Sequence, residues 1–215
     1  MKADSSRRHD KGKALPEYLQ VWPGHGAGTV IAAEAGRLER LVADLLDLAR
    51  LDARQFSLSP RSFDLAGSVR TTVDAFRPGA GELGIELAVH GLDVLNVTGD
   101  PERVAQIMAN LIENALKYAR SRIDVEVRAD PDADVEIRVV DDGPGVDPAE
   151  VERVFERLFV SRAVPGRSVG TGLGLAIVGE LTNAMGGRAS VERSPSDGAA
   201  FVVRLPLVRV ATAIA

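Results

Sequence analysis

The stretch NLIENALKYA, residues 110–119, closes a run in which Val104, Ile107, Met108, Leu111 and Ala115 recur at i, i+3 and i+4 spacing. Such a stripe is the core-facing side of an amphipathic helix. On the adjoining stripe Asn110, Asn114 and Lys117 fall in one line, four and then three residues apart, so the two amides sit at the rim of the core. Amides there either cap a loop and face solvent or belong to a site. Asp100-Pro101-Glu102 marks the start of this helix, with an acceptor side chain followed by proline and an acidic first turn.

Downstream, Ile123, Val125 and Val127 alternate, ADPDAD turns, and Val135, Ile137 and Val139 alternate again, which predicts a two-stranded hairpin. The runs around Arg188–Glu192 and Ala200–Leu205 read as two further strands. Upstream, Asp64 is placed to cap a helix running to about Phe76, and Ile85, Leu87 and Val89 within GIELAVHGLDVLNVTGD alternate as a strand. The sum is an α/β two-layer sandwich, with a mixed, mainly antiparallel sheet and helices on one face.

Before this lies RQFSLSPRSFDL, read as a linker, and before that TVIAAEAGRLERLVADLLDLARLDA, where Leu38, Leu41, Val42, Leu45, Leu46 and Leu48 give a long helix an apolar seam. Nothing nearby in the sequence covers that seam, so a partner helix is expected, in the same chain or another. The first 28 residues carry Gly12, Pro16, Pro23, Gly24, Gly26 and Gly28 and read as a loose leader. The expected divisions are residues 1–28, 29–60, 61–208 and a tail at 209–215.

A net charge of −5 gives no electrostatic draw toward nucleic acid. The absence of cysteine rules out disulfides and thiolate metal sites and suits a cytoplasmic setting. No apolar run reaches the roughly 18 residues that span a bilayer.

Three loops carry chemistry. In VVDDGPGV, Asp141 is an acceptor at the end of a strand, able to take a hydrogen bond from an exocyclic amine such as adenine's and to repel the oxygen that guanine places there. Gly143 and Gly145 allow the backbone to approach a flat ring, although the same residues also make a plain turn. In GTGLGLAIV, glycines at the mouth of a helix leave N–H groups and the positive end of the helix dipole outward, an arrangement that suits phosphate and equally a packing turn. Between them VERVFERLFVSRAVPGRSV reads as a short helix passing into a loop, from which Arg157, Arg162 and Arg167 can close over phosphates or stand solvated. An asparagine oxygen is a neutral, hard ligand suited to Mg²⁺, so Asn114 can hold the metal with Asn110 in support, while Lys117 offsets phosphate charge.

In this order NLIENALKYA, DDGPG, VFERLF and GTGLGLAIV resemble the N, G1, F and G2 boxes of sensor histidine kinases, within the gyrase, heat-shock-chaperone and mismatch-repair ATPase superfamily. The resemblance covers roughly residues 36–207 and implies a Bergerat-type ATP-binding fold after a helix similar to the second helix of a dimerisation and phosphotransfer domain. It assigns Asn110, Asn114, Lys117 and Tyr118 to the metal and phosphate side, Asp141, Gly143 and Gly145 to the adenine side, and Gly170, Thr171, Gly172, Leu173 and Gly174 to the phosphate loop. Asn110, Glu113 and Lys117 are the catalytic candidates, with Arg157 as a further nucleotide contact. The implied cofactors are ATP and Mg²⁺. Two departures stand out: Met185 where the family usually has His, and no H box, since His9, His25 and His90 all lack its helical setting. The expectation is a kinase half that acts on a His of a separate phosphotransfer or dimerisation protein, with relay to a response regulator and a homodimer through residues 29–53 as a further partner. The other classes left open are a superfamily ATPase or anti-sigma-type Ser kinase, and a truncated nucleotide-binding remnant.

Overall fold

The computed structural model describes residues 57–129, 134–159, 171–206 and 208–209, together with Val42, Leu45, Leu46 and Ala49; the side chains of 208 and 209 are not described. The helix expected over 29–53 lies outside the described residues except at those four positions, which are helical and exposed.

In chain order the elements are β1 (Arg61–Asp64), α1 (Leu65–Glu82), β2 (Glu86–Gly91), β3 (Asn96–Gly99), α2 (Pro101–Tyr118), β4 (Arg122–Ala129), β5 (Val135–Asp141), α3 (Gly174–Ala184), β6 (Arg188–Arg193), β7 (Ala199–Leu205) and β8 (Val208–Arg209). A five-stranded sheet has the order β2-β4-β5-β7-β6, and a three-stranded sheet the order β1-β3-β8. All pairings are antiparallel except β2 with β4, which the α2 crossover makes parallel.

The hairpin forms as its alternation predicts: Ile123, Val125, Val127, Val135, Ile137 and Val139 all turn inward and are at most 2% exposed. The opposite face carries charge, with Arg138 bridging to Glu136 and Glu192, and Arg204 to Glu136. The helices α1, α2 and α3 cover the apolar face. On α2 the expected stripe of Val104, Ile107, Met108, Leu111 and Ala115 is fully buried, joined by Ile112. The five large side chains of that set contribute on the order of 10 kcal/mol of gross hydrophobic stabilisation. Asp100 caps α2, accepting from the amides of Glu102 and Arg103, and its other oxygen takes the Ser59 amide at 2.9 Å.

Five expectations are corrected. The second half of the supposed linker is strand β1, which pairs residue for residue with β3. The helix expected to end near Phe76 continues through Pro78 to Glu82, because the proline forfeits one bond while Ala80 remains buried. Beyond Glu82 the chain turns away at Gly84, with φ +69°, through bonds from Ile85 N to Ala80 O and Gly84 N to Gly81 O. Asp64 stands at the N-cap position of α1 but makes no side-chain cap; its Oδ1 instead accepts the Leu95 amide at 2.9 Å. The segment 85–99 yields two strands in two different sheets, since β2 joins β4 while β3 turns back to β1. At VERVFERLF there is a succession of turns rather than a helix, each closed by an i to i+3 bond such as Arg153 N to Glu150 O and Glu156 N to Arg153 O.

Candidate nucleotide site

Period two along β5 carries Val135, Ile137, Val139 and then Asp141 to the inward side of the sheet, so an acid occupies what would otherwise be a core position. Asp141 is 2% exposed. Two backbone donors converge on its Oδ1, Gly143 N at 2.8 Å and Ala199 N at 3.2 Å. Its Oδ2 has no donor among the described residues. Burial pushes the Asp141 carboxyl above the usual carboxylate range, and the two backbone hydrogen bonds only partly counter it. The result is an anchored acceptor whose second oxygen is left for a ligand.

The glycines around it are dictated by close approach. A Cβ on Gly143 would come within 2.7 Å of both Asp141 Oδ1 and the Tyr118 carbonyl. Gly145 has φ +75°, and behind it lie the carbonyls of Asp197 and Gly198. Asp142 ties this loop to the end of α2: its Oδ1 accepts from Arg120 N at 2.7 Å, and its Oδ2 from the Ser121 hydroxyl at 2.7 Å. Desolvation alone would raise the Asp142 carboxyl, but the Ser121 and Arg120 hydrogen bonds prevail and hold it at about 2.

From α2, Asn110, Glu113, Asn114, Lys117 and Tyr118 are all half-buried. Asn110 Nδ2 donates to Gln106 O at 3.1 Å, one turn back, and a Cβ on Gly174 would lie 2.9 Å from its Oδ1. The fold thus brings Asn110 against the first residue of α3. The side chains of Asn114 and Lys117 make no hydrogen bond or ion pair among the described residues. Tyr118 is shifted upward by burial and then by the charge of Glu150, which keeps its hydroxyl protonated.

The mouth of α3 has no side-chain cap and no acidic residue in its first turn, so among the described residues neither offsets its positive end. Thr171 Oγ1 accepts from Leu173 N at 3.2 Å. Gly172, with φ +72°, lets the backbone of Leu158 approach, and Leu158 N donates to Gly172 O at 2.9 Å. Gly170, Arg162 and Arg167 lie outside the described residues. Arg157, expected near phosphate, is ion-paired to Glu180 of α3 at 3.1 Å. His90 is hydrogen-bonded to Asp124 on the sheet.

Sequence reasoning missed Asp142, Ser194, Ser196 and Gly198, all of which brace Asp141 or its loop. The doubled acid of DDGPG and the S-P-S-D-G turn were their only local signals. Among the described residues no group of three or more His, Cys, Asp or Glu could hold a metal, and no helix is long and apolar enough to cross a membrane. The amide oxygen of Asn114 is a donor of the kind that suits Mg²⁺ bound through few protein groups, water and substrate phosphates.

Residues 99–209 match the model of the histidine kinase-, DNA gyrase B- and HSP90-like ATPase family. The signal transduction histidine-protein kinase AfsQ2 of Streptomyces coelicolor is 37% identical over 82% of this chain, and the kinase BaeS of Escherichia coli 33% over 83%. The chain spans only 32% and 39% of those two proteins. The crystal structure of full-length ShkA in complex with AMPPNP aligns at a TM-score of 0.74 with 33% identity, over 86% of this chain and 39% of that one. The matched segment runs from the strand end before α2 to β8 and so encloses Asn110, Asp141 and the mouth of α3, and by that match the chain belongs to the histidine kinase-, DNA gyrase B- and HSP90-like ATPase family, as an ATP-binding catalytic domain of histidine-kinase type.

Proposed function

We propose that this chain binds Mg-ATP between α2, the DDGPG loop and the mouth of α3, and transfers the γ-phosphoryl group to a histidine on a separate polypeptide, for relay to a response-regulator aspartate. The observation that carries the reading is the buried Asp141, pinned through Oδ1 with Oδ2 left as an acceptor for adenine's amine. Asn110 lies where α2 meets α3, Asn114 follows it one turn on along α2, and the uncapped helix mouth and Lys117 supply positive charge for the phosphates. Asn114 would hold Mg²⁺, which would offset the charge of the phosphates.

In the transfer the bond from the γ-phosphorus to the ADP oxygen breaks, a phosphorus–nitrogen bond to the imidazole forms, and the ring loses a proton. The chain's part is to hold and orient the triphosphate for in-line attack. Water attack is disfavoured because gyrase-like relatives place a general-base Glu at the position of Asn110, and an amide takes no proton at neutral pH. ATP turnover by the chain alone is therefore slow.

The test mixes the full chain with radiolabelled Mg-ATP and a separately expressed phosphoacceptor helix pair carrying an H box. Acid-labile label should appear on the added polypeptide and pass to a response-regulator aspartate. Leu45→Asp with Leu46→Asp should abolish transfer while nucleotide binding persists, since both side chains are more than half exposed. Rapid, sustained phosphate release without a partner would replace this reading with an ATPase. Label on His9 or His25 at the rate of transfer to the partner would place the acceptor within these residues.

A further inference from the structure

The turn between β6 and β7, Ser194 to Gly198, is closed by its own backbone: Ser194 N donates to Gly198 O at 2.9 Å, and Asp197 N to Ser194 O at 3.1 Å. It does not need the Ser194 side chain to form. Yet that side chain is buried at 4% exposure and sits at the centre of a second set of bonds. Gly198 N donates to Ser194 Oγ at 3.0 Å, Ser194 Oγ lies 3.2 Å from the Asp141 carbonyl, and Ser196 Oγ lies 2.8 Å from Ser194 Oγ and 3.4 Å from the same carbonyl.

Two hydroxyl protons serve these contacts, and one arrangement uses both over the shorter bonds. Ser194 donates to the Asp141 carbonyl, and Ser196 donates to Ser194, which also accepts from Gly198. The hydroxyl draws the turn onto the end of β5 so closely that a Cβ on Gly198 would collide with the Asp141 carbonyl. The next residue, Ala199, then donates its N–H to Asp141 Oδ1 at 3.2 Å. Together with Gly143 N this fixes the plane of the carboxylate and decides which oxygen stays available.

We infer that Ser194 is a positioning residue for base recognition: its buried hydroxyl joins the Asp141 carbonyl to the Gly198 amide and so sets the Ala199 N–H that holds Oδ1 and presents Oδ2 to the base. The inference rests on the reading of Asp141 as the adenine acceptor. Without the hydroxyl, the turn keeps its backbone closure but loses its tether to β5. The Ala199 bond lengthens, and the carboxylate can rotate to offer either oxygen in a range of directions. Adenine loses a directed acceptor, while guanine, which gains nothing from that acceptor, is affected less.

The experiment measures ATP and GTP binding by calorimetry on the full chain, for wild type, Asp141→Asn and Ser194→Ala, with thermal melts alongside. Ser194→Ala should weaken ATP binding on the order of tenfold and GTP binding much less, so that the ATP/GTP affinity ratio falls several-fold. A merely structural serine would lower the melting temperature and leave that ratio unchanged, which would overturn the inference. If Ser194→Ala does not fold, Ser194→Cys, close in volume and a weak hydrogen-bonding group, is read in the same way, and an unchanged ratio there overturns it equally. A wild type that does not discriminate ATP from GTP removes the Asp141 reading and this inference with it. Discrimination lost in Asp141→Asn but retained in the Ser194 variants removes only the role of Ser194.

Discussion

Replacing Asp141 by asparagine exchanges one oxygen for an NH₂ group, and the structure decides which one. Gly143 N and Ala199 N both point at Oδ1, at 2.8 and 3.2 Å, so the asparagine must keep its oxygen there. The flipped amide would set its NH₂ against two N–H donors and strand them, at a cost of about 1–3 kcal/mol. The NH₂ group therefore replaces Oδ2 and meets the adenine amine donor to donor. A mispaired buried donor of this kind costs about 1–3 kcal/mol, so ATP affinity should fall by roughly 5- to 150-fold. Guanine presents a carbonyl oxygen at that point, so GTP affinity should rise and the preference narrow or invert. Calorimetric titration of both nucleotides against both proteins reads the two changes together. The pH profile adds a check. Because burial raises the Asp141 carboxyl, wild-type ATP binding should decline on acidification sooner than an exposed carboxylate would dictate, and Asp141→Asn should lack that decline. ATP affinity within twofold of wild type, with the ATP/GTP ratio unchanged, would refute the reasoning.

Three further outcomes are expected. Asp142 drops from an ordinary 3.8 to about 2 in the folded chain, worth about 1 kcal/mol once its exposure to water is allowed for. Its folded value is depressed, so this stability is complete above about pH 4 and lost as pH falls through about 2; Asp142→Asn should be less stable than wild type at pH 7, with the gap narrowing steadily from about pH 4 down to about pH 2, and a gap that does not narrow over that range would contradict the assignment. Gly198→Ala puts a methyl group into the backbone of Asp141 and Gly143, which cannot yield without moving the end of β5, so urea denaturation should show a loss of about 3 kcal/mol or more; an unchanged midpoint would mean that the turn is looser than described. Thr182 is fully buried on α3 and its hydroxyl has no partner among the described residues, so Thr182→Val, nearly the same shape, should stabilise the chain by about 1 kcal/mol in the same assay, and destabilisation would point to a bound water satisfying the hydroxyl.

What the sequence determined by itself is whatever is encoded in local periodicity. The 3.6-residue stripe fixed α2 and its buried face, and the two-residue alternation fixed the β4–β5 hairpin. The same alternation, counted on from Val139, already puts Asp141 on the inward side, and the order of the four boxes pointed to the family that the chain matches. Tertiary structure alone decided the pairings between segments remote in sequence, because a strand's partner leaves no periodic trace in either segment. For that reason β1 passed for a linker, 85–99 for a single strand, and the pairing of β8 with β3 went unseen. The turn dipeptides around Ser194 and Gly198 told that the chain reverses there, but not that the reversal presses on Asp141. VERVFERLF shows the opposite failure: its helical spacing is real, but the chain there takes up successive turns in which Phe155 packs edge-on to Phe201 and Leu158 bonds to Gly172, and those long-range contacts outweigh a propensity worth only tenths of a kcal/mol per residue. Asn110 completes the contrast, since helical spacing placed it at the rim of the core, but only the packing of α2 on α3 set its amide against Gly174 at the mouth of α3.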